Sequence, residues 1–241
     1  MRVTWVRFGL LAALAATAVA CSTPTGSPPP STPSSSSPPT AAVPGQDLAI
    51  LNTLPARMAP DGVAIEVGQP NAPTTVTVYE DFQCPYCARF EHVNGPELAT
   101  RAAAGGIKIH YIFASLLDHK LGGHSSARAA NAARAAVEAG GFPTYHRLLF
   151  DRQPVEGTDG FTTDVLLQVA ETVPALNSPA FTDAAVRADT HRQWVTASQS
   201  AYEMSQKQYP DGVPTVLIGS VDANPALYDR DTLRGLLDHT P

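Results

Sequence analysis

The chain has little lysine, little cysteine, few charges and no apolar run long enough to cross a bilayer. Of its 16 basic residues only Lys108, Lys120 and Lys207 are lysine, and the net charge is −6. A basic footprint is missing, so no nucleic-acid partner is expected. Its cysteines are Cys21, Cys84 and Cys87. Three thiols cannot build a disulfide framework, nor complete a structural zinc site alone. What is present is 44% hydrophobic and 16% charged residues in 241 positions. That balance excludes wholesale disorder and suits a soluble globular protein of one large or two small domains.

The first segment reads as an export signal over residues 1–20. Arg2 and Arg7 precede a 13-residue apolar run, residues 8–20, of the length of a signal-peptide core. The run ends Ala18-Val19-Ala20-Cys21, which resembles a bacterial lipobox whose cysteine is acylated. Ala18 stands where the typical lipobox has Leu. An ordinary A-x-A cleavage site would cut the same bond and leave Cys21 free, an exposed odd thiol. Residues 21–45 then form a linker, with eight Pro, seven Ser and four Thr in the last 24 positions. Such a composition buries no core, and fully extended it reaches about 70 Å.

Residues 46–241 are expected to form one domain. Strands are predicted over 63–67, 74–79, 107–113 and 215–218, the second being β-branched, aromatic and alternating. A helix is predicted over 85–104, opened by Pro85 at its first position and broken at Asn94-Gly95-Pro96. Between residues 114 and 214 the pattern is helical. One helix runs over 124–140 with Ser125 or Ser126 as cap, and others over 143–150, 163–173 and 178–206. A last helix to 239 is capped by Asp229 or Asp231.

The two remaining cysteines stand as Cys84-Pro85-Tyr86-Cys87, where the best strand hands over to a helix. Disulfide exchange needs an attacking thiolate and a second thiol that resolves the mixed disulfide. Cys84 at a helix N-terminus faces free N–H groups and the macrodipole, which lower its pKa. Cys87 lies one helical turn on, less exposed and close enough to pair. Two other readings stay open: half of a zinc site completed by His92 and His110, or two inert buried thiols.

The order β-α-β, helices, β, α around CPYC is similar to the thioredoxin fold with a helical insertion, here about residues 114–212. More narrowly it resembles the DsbA family of exported thiol–disulfide oxidoreductases, an α/β class. The segment VAIEVGQPNAPTTVTVYEDFQCPYCARFE is similar to that family's active-site region, and Gly212-Val213-Pro214-Thr215 to its cis-proline loop. The resemblance implies Cys84 and Cys87 as the catalytic pair, Pro85 and Tyr86 as the dipeptide that tunes redox potential, and Val213 and Pro214 as a substrate-binding loop. A cis bond there would point the main-chain groups of Val213 outward. Relatives often carry a buried acid six residues before the nucleophile; here that residue is Val78. Glu80 is the candidate to replace it in proton transfer, and Asp81 is expected to be a solvated loop acid. His119 and His124 fall in a loop near the site without an assigned role, and Trp194 and Tyr202 are expected in the core.

The implied activity is that of a lipid-anchored dithiol oxidase facing the extracytoplasmic space. It would give disulfides to reduced secreted proteins and be reoxidised by a membrane quinone-linked thiol oxidase. It would be a monomer with no cofactor and no metal. A reductase, an isomerase and a non-catalytic binding module are the alternatives.

Overall fold

The computed structural model describes residues 46–187 and 189–240. The expected signal (residues 1–20), the linker (residues 21–45) and Cys21 lie outside the described residues.

A six-stranded sheet organises the domain, with β1 (Ala56–Met58), β2 (Ile65–Gly68), β3 (Thr74–Glu80), β4 (Ile107–Phe113), β5 (Thr215–Ile218) and β6 (Val221–Asp222) in the order β1-β2-β4-β3-β5-β6. Only β3 and β4 are parallel, joined by the crossover helix α2 (Pro85–Ala103). In β3 the period-two pattern turns Thr74, Val76, Val78 and Glu80 to the buried face, as the pleat requires. Thus Val78 is a core residue, and Glu80, in phase with it, is buried as well. Tyr79 and Ile112 point the other way, into a smaller cluster with Ala59, Ala64 and Ala201.

Helix α2 is not broken at Asn94-Gly95-Pro96 but runs through. Pro96 removes one intrahelical bond, yet Phe90, Leu98, Ala99 and Ala102 are buried on the same helix. The Asn94 Nδ2 donates to the Leu227 carbonyl at 2.7 Å, outside the helix. Tertiary burial therefore outweighs the local breaker. A Cβ at Gly95 would stand 3.0 Å from Glu91 Oε2, a tight contact that this carboxylate would have to yield to.

The insertion between β4 and β5 holds six α-helices among the described residues: α3 (Leu116–Leu121), α4 (Ser125–Glu138), α5 (Phe142–Asp151), α6 (Thr163–Ala170), α7 (Pro179–Val186) and α8 (Arg192–Ser205). The expected stretch over 178–206 is thus two helices. The cap of α4 also differs from expectation. Neither Ser125 nor Ser126 caps it; the Asp118 carboxylate of α3 accepts from Ser126 N and Ala127 N at 3.0 and 2.9 Å. The two serine hydroxyls are committed elsewhere, to Phe161 N and to Asp81. Thr162 caps α6, its side chain accepting from Val165 N. Asp229 caps the final helix, Arg230–His239 (α9). Six buried alanines of α4 let neighbouring helices approach closely. Aromatic rings fill the centre, with Phe82 stacked on Phe113 at 4.6 Å. No helix among the described residues is long and apolar enough to cross a membrane. A short helix α1 (Gln46–Leu51) and the edge strands β1 and β6 are additions that the sequence pattern does not announce.

Candidate active site

Strand β3 ends at Glu80, the chain turns through Asp81, Phe82 and Gln83, and Cys84 takes the N-cap position of α2 with extended backbone (φ −76°, ψ 117°). Pro85 opens the helix and Cys87 sits in its first turn. Both thiols are free. Cys84 keeps 5% exposure and Cys87 none, whereas the ring of Tyr86 between them is 60% exposed.

The two sulfurs are electrostatically unequal. Cys84 is held below the usual thiol range, first by a hydrogen bond from the Cys87 thiol, then by the N–H groups of Cys87 and Tyr86. Burial and the charge of Asp81 oppose this without reversing it. Cys87 is pushed well above the usual range, because its sulfur is fully buried, donates to Cys84 and faces the charges of Cys84 and Glu80. A thiolate at Cys84 and a protonated Cys87 is the favoured pairing of states.

The Val213–Pro214 bond is cis. Its loop lies against the nucleophile: Cys84 Sγ is 3.5 Å from the Val213 carbonyl oxygen, to which it donates while protonated. That carbonyl therefore faces the sulfur and not outward. Gly212, at φ +87°, requires glycine, and its N–H donates to Gln206 Oε1 at 2.9 Å. Tyr86, Val213, Pro214 and Tyr228 border a groove of about 450 Å3. The Tyr228 hydroxyl reaches the Tyr86 carbonyl at 3.3 Å, and Arg89 lies 4.3 Å over the Tyr228 ring.

Both acids before the motif are buried. For Asp81 this corrects the expectation of a solvated loop acid. Its carboxylate accepts from Gln83 N (2.9 Å), Leu117 N (3.0 Å) and Ser126 Oγ (2.6 Å), and its own N–H points at Cys87 Sγ, 3.5 Å away. Burial outweighs these bonds and raises its pKa to about 6. Glu80 is paired with His146 Nε2 at 2.5 Å, and burial followed by the charge of Asp81 raises its carboxyl well above the ordinary range.

Residues 61–239 match a protein-family model described as thioredoxin. The chain belongs to the thioredoxin family. Among solved structures it is similar to the MdbA protein, a thiol-disulfide oxidoreductase, from Corynebacterium matruchotii (18% identity, TM-score 0.62, covering 78% of this chain and 98% of that one). MdbA from Corynebacterium diphtheriae gives 20% identity and a TM-score of 0.60, covering 74% of this chain and 89% of that one. Reduced DsbA from Mycobacterium tuberculosis gives 23% and 0.57, covering 74% and 92%. At these identities the likeness is one of fold: a DsbA-like thioredoxin fold with an inserted helical block. Among curated proteins none matches.

Within this thioredoxin fold Cys84, Pro85, Tyr86, Cys87, Val213 and Pro214 come together, although the last two lie far along the chain. His119 and His124 do not join them; with Asp118 and Arg128 they border a separate groove. His92 pairs with Asp151 and His110 with Glu66, each at 2.9 Å. No metal-ligating cluster among the described residues includes the cysteines, so the zinc half-site has no completing ligands there. Trp194 is part-buried, donating to the Val63 carbonyl at 2.8 Å, and Tyr202 is buried. Sequence reasoning missed Gln153, whose Nε2 donates to the carbonyls of Phe82 (2.7 Å) and Cys84 (3.0 Å). It also missed Tyr228 and Ser126. A lone Gln in the helical block and a Tyr near the C-terminus carry no local signal of such contacts.

Proposed function

We propose that the protein is an exported protein-disulfide oxidoreductase acting as a dithiol oxidase, anchored to the cell membrane through acylated Cys21. The observation that carries this reading is the inequality of the two sulfurs, with Cys84 held down by Cys87 and by helix N–H groups. A thiolate stabilised in the reduced protein favours giving the disulfide away. In the oxidised protein a substrate thiolate attacks Cys84 Sγ and the Cys84–Cys87 bond breaks. Cys87 leaves with the electron pair and takes a proton. A second substrate thiolate then attacks the substrate sulfur of the mixed disulfide, and Cys84 leaves as its stabilised thiolate. The substrate is oxidised by two electrons and the protein reduced by two.

Glu80, whose charge is among the causes that keep the Cys87 proton on, is the carboxylate proposed to exchange that proton. Pro85 and Tyr86 set the potential, and Val213 and Pro214 receive an extended segment of a reduced secreted protein. Reoxidation falls to a membrane quinone-linked thiol oxidase. The likeness in fold to the MdbA proteins, which are thiol-disulfide oxidoreductases, supports the same chemistry.

The test is the equilibrium of the pair with glutathione buffers. An oxidase gives a potential near that of DsbA, about −120 mV, and a value near thioredoxin's, about −270 mV, makes it a reductase. Alongside it, Cys87→Ser is expected to trap mixed disulfides and Cys84→Ser to trap none. Fatty-acid labelling lost in Cys21→Ala tests the anchor.

A further inference from the structure

Behind the redox pair lies a second group of chemically able side chains. Glu80 ends β3, Glu91 faces inward from α2 and His146 inward from α5; all three are buried. Each offers one ligand atom, and these atoms lie within 4.8 Å of one another. One oxygen on each carboxylate, Glu80 Oε2 and Glu91 Oε1, is buried and has no hydrogen-bond partner. Unpartnered oxygens in a protein interior are rare, because burial costs them the water they had. Here two of them occur in one cluster.

We propose that Glu80, Glu91 and His146 form a binding site for one first-row divalent cation, Zn2+ fitting best. Two carboxylate oxygens and one imidazole nitrogen are a borderline donor set of the kind zinc takes, with three protein ligands and a fourth position for water. A cavity of about 20 Å3 is lined by Glu91, Tyr111, His146 and Arg147 among others, and that is room for one water. A dication would balance two carboxylates that otherwise have to be kept neutral or unpaired in the interior. The three ligands come from three packed elements, so their positions are set by the fold and not by a loop. Around His146 stand the rings of Phe82, Tyr111, Phe142 and Phe150, 4.4 to 5.9 Å away; its Nε2 is bonded to Glu80 Oε1 at 2.5 Å, and a bound cation takes the place of that bond. Arg147, bonded to Asp151 at 2.9 Å, also lines the cavity, and its positive charge acts against a bound cation.

The sequence hides this site because positions 80, 91 and 146 have no metal-binding spacing. It contains no cysteine and does not depend on the redox reading, although its Glu80 acts electrostatically on Cys87. It bears on it in one way: with a cation bound, Glu80 is withdrawn from proton exchange with Cys87, so the two roles belong to two states of the cluster.

The test uses the full chain made free of cysteine (Cys21→Ser, Cys84→Ser, Cys87→Ser), so that no thiolate can ligate. Equilibrium dialysis is expected to give one Zn2+ per chain. Loss of partners only one shell away from a metal typically costs 10- to 100-fold in affinity. Glu91→Gln, near in shape to a protonated glutamate, and His146→Gln should therefore each weaken binding at least about tenfold, with the circular dichroism unchanged. Co2+ in the same protein should show a visible spectrum of oxygen and nitrogen ligation. No stoichiometric zinc, or undiminished binding by Glu91→Gln, overturns the proposal. Should Glu91→Gln not fold, X-ray absorption of the zinc-loaded parent decides. A shell with one imidazole supports the site, and one with two or more, from surface histidines, refutes it.

Discussion

Replacing Cys87 by Ala tests the origin of the reactivity of Cys84. The largest cause holding the Cys84 thiol down is the hydrogen bond from Cys87. Ala removes that donor and leaves the N–H groups of residues 86 and 87 in place. Hydrogen bonds to charged groups contribute about 1.5–3 kcal/mol. Since 1.4 kcal/mol is a factor of ten, the thiolate–thiol equilibrium of Cys84 should move about ten- to hundredfold toward the thiol. Cys87 is fully buried, so solvent should not readily replace the lost donor, and the effect should not collapse to zero. The assay is the alkylation rate of Cys84 against pH. The profile of Cys87→Ala should lie at higher pH than wild type, and its rate at neutral pH should be slower by about the same factor. Cys87→Ser, which keeps an O–H donor, should restore part of the shift. An unmoved profile in Cys87→Ala, or Ser and Ala variants that coincide, would refute the reasoning and leave the helix terminus as the main cause.

Asp81 has a folded pKa of about 6 against an ordinary 3.8. Its neutral form therefore favours the fold. The contribution, about 3 kcal/mol, is fully present below about pH 4 and is lost as the pH rises through about 6. Urea unfolding across that window should show Asp81→Asn with a flatter dependence of stability on pH than wild type, whatever its absolute stability; parallel curves would count against the shift. Gln153→Ala removes two hydrogen bonds to buried main-chain carbonyls and should cost about 1–2 kcal/mol, read as a lower melting temperature. An unchanged melting temperature would mean that those carbonyls find other donors.

The parts of the fold legible in the sequence are those with local causes. Alternation in residues 74–79 and the apolar character of 107–113 mark the two strands that pair in parallel at the centre, and the Cys-Pro-Tyr-Cys turn places a nucleophile at a helix start. The burial of Glu80 is also implied by the pattern, since it continues the phase of Val76 and Val78, but a charged residue at that phase reads as the start of a loop. Asp81 was different. The groups that bury it belong to residues 117 and 126, which no local window contains. Ser126 reads as a helix cap because nothing nearby shows that Asp118 already does that work and that the hydroxyl is needed at Asp81. Asn94-Gly95-Pro96 reads as a break because propensity counts local bonds, while the helix is held by the face it buries. Helix α3 and strands β1 and β6 are too short for periodicity to register.

The amide of Gln153 stands just beyond α5, in the helical block, yet it closes the turn that carries Cys84 by binding the carbonyls on either side of Gln83. Ser126 reaches the same turn from α4 through Asp81 and Gln83. The insertion is therefore not a detachable module grafted onto a self-sufficient redox unit. A chimera that exchanges residues 114–212 for another helical block inherits a Cys84 turn whose carbonyls and buried acid have lost their partners, unless it also brings equivalents of Gln153 and Ser126. Changes of redox behaviour can thus arise from side chains that bond the turn and not the sulfurs themselves.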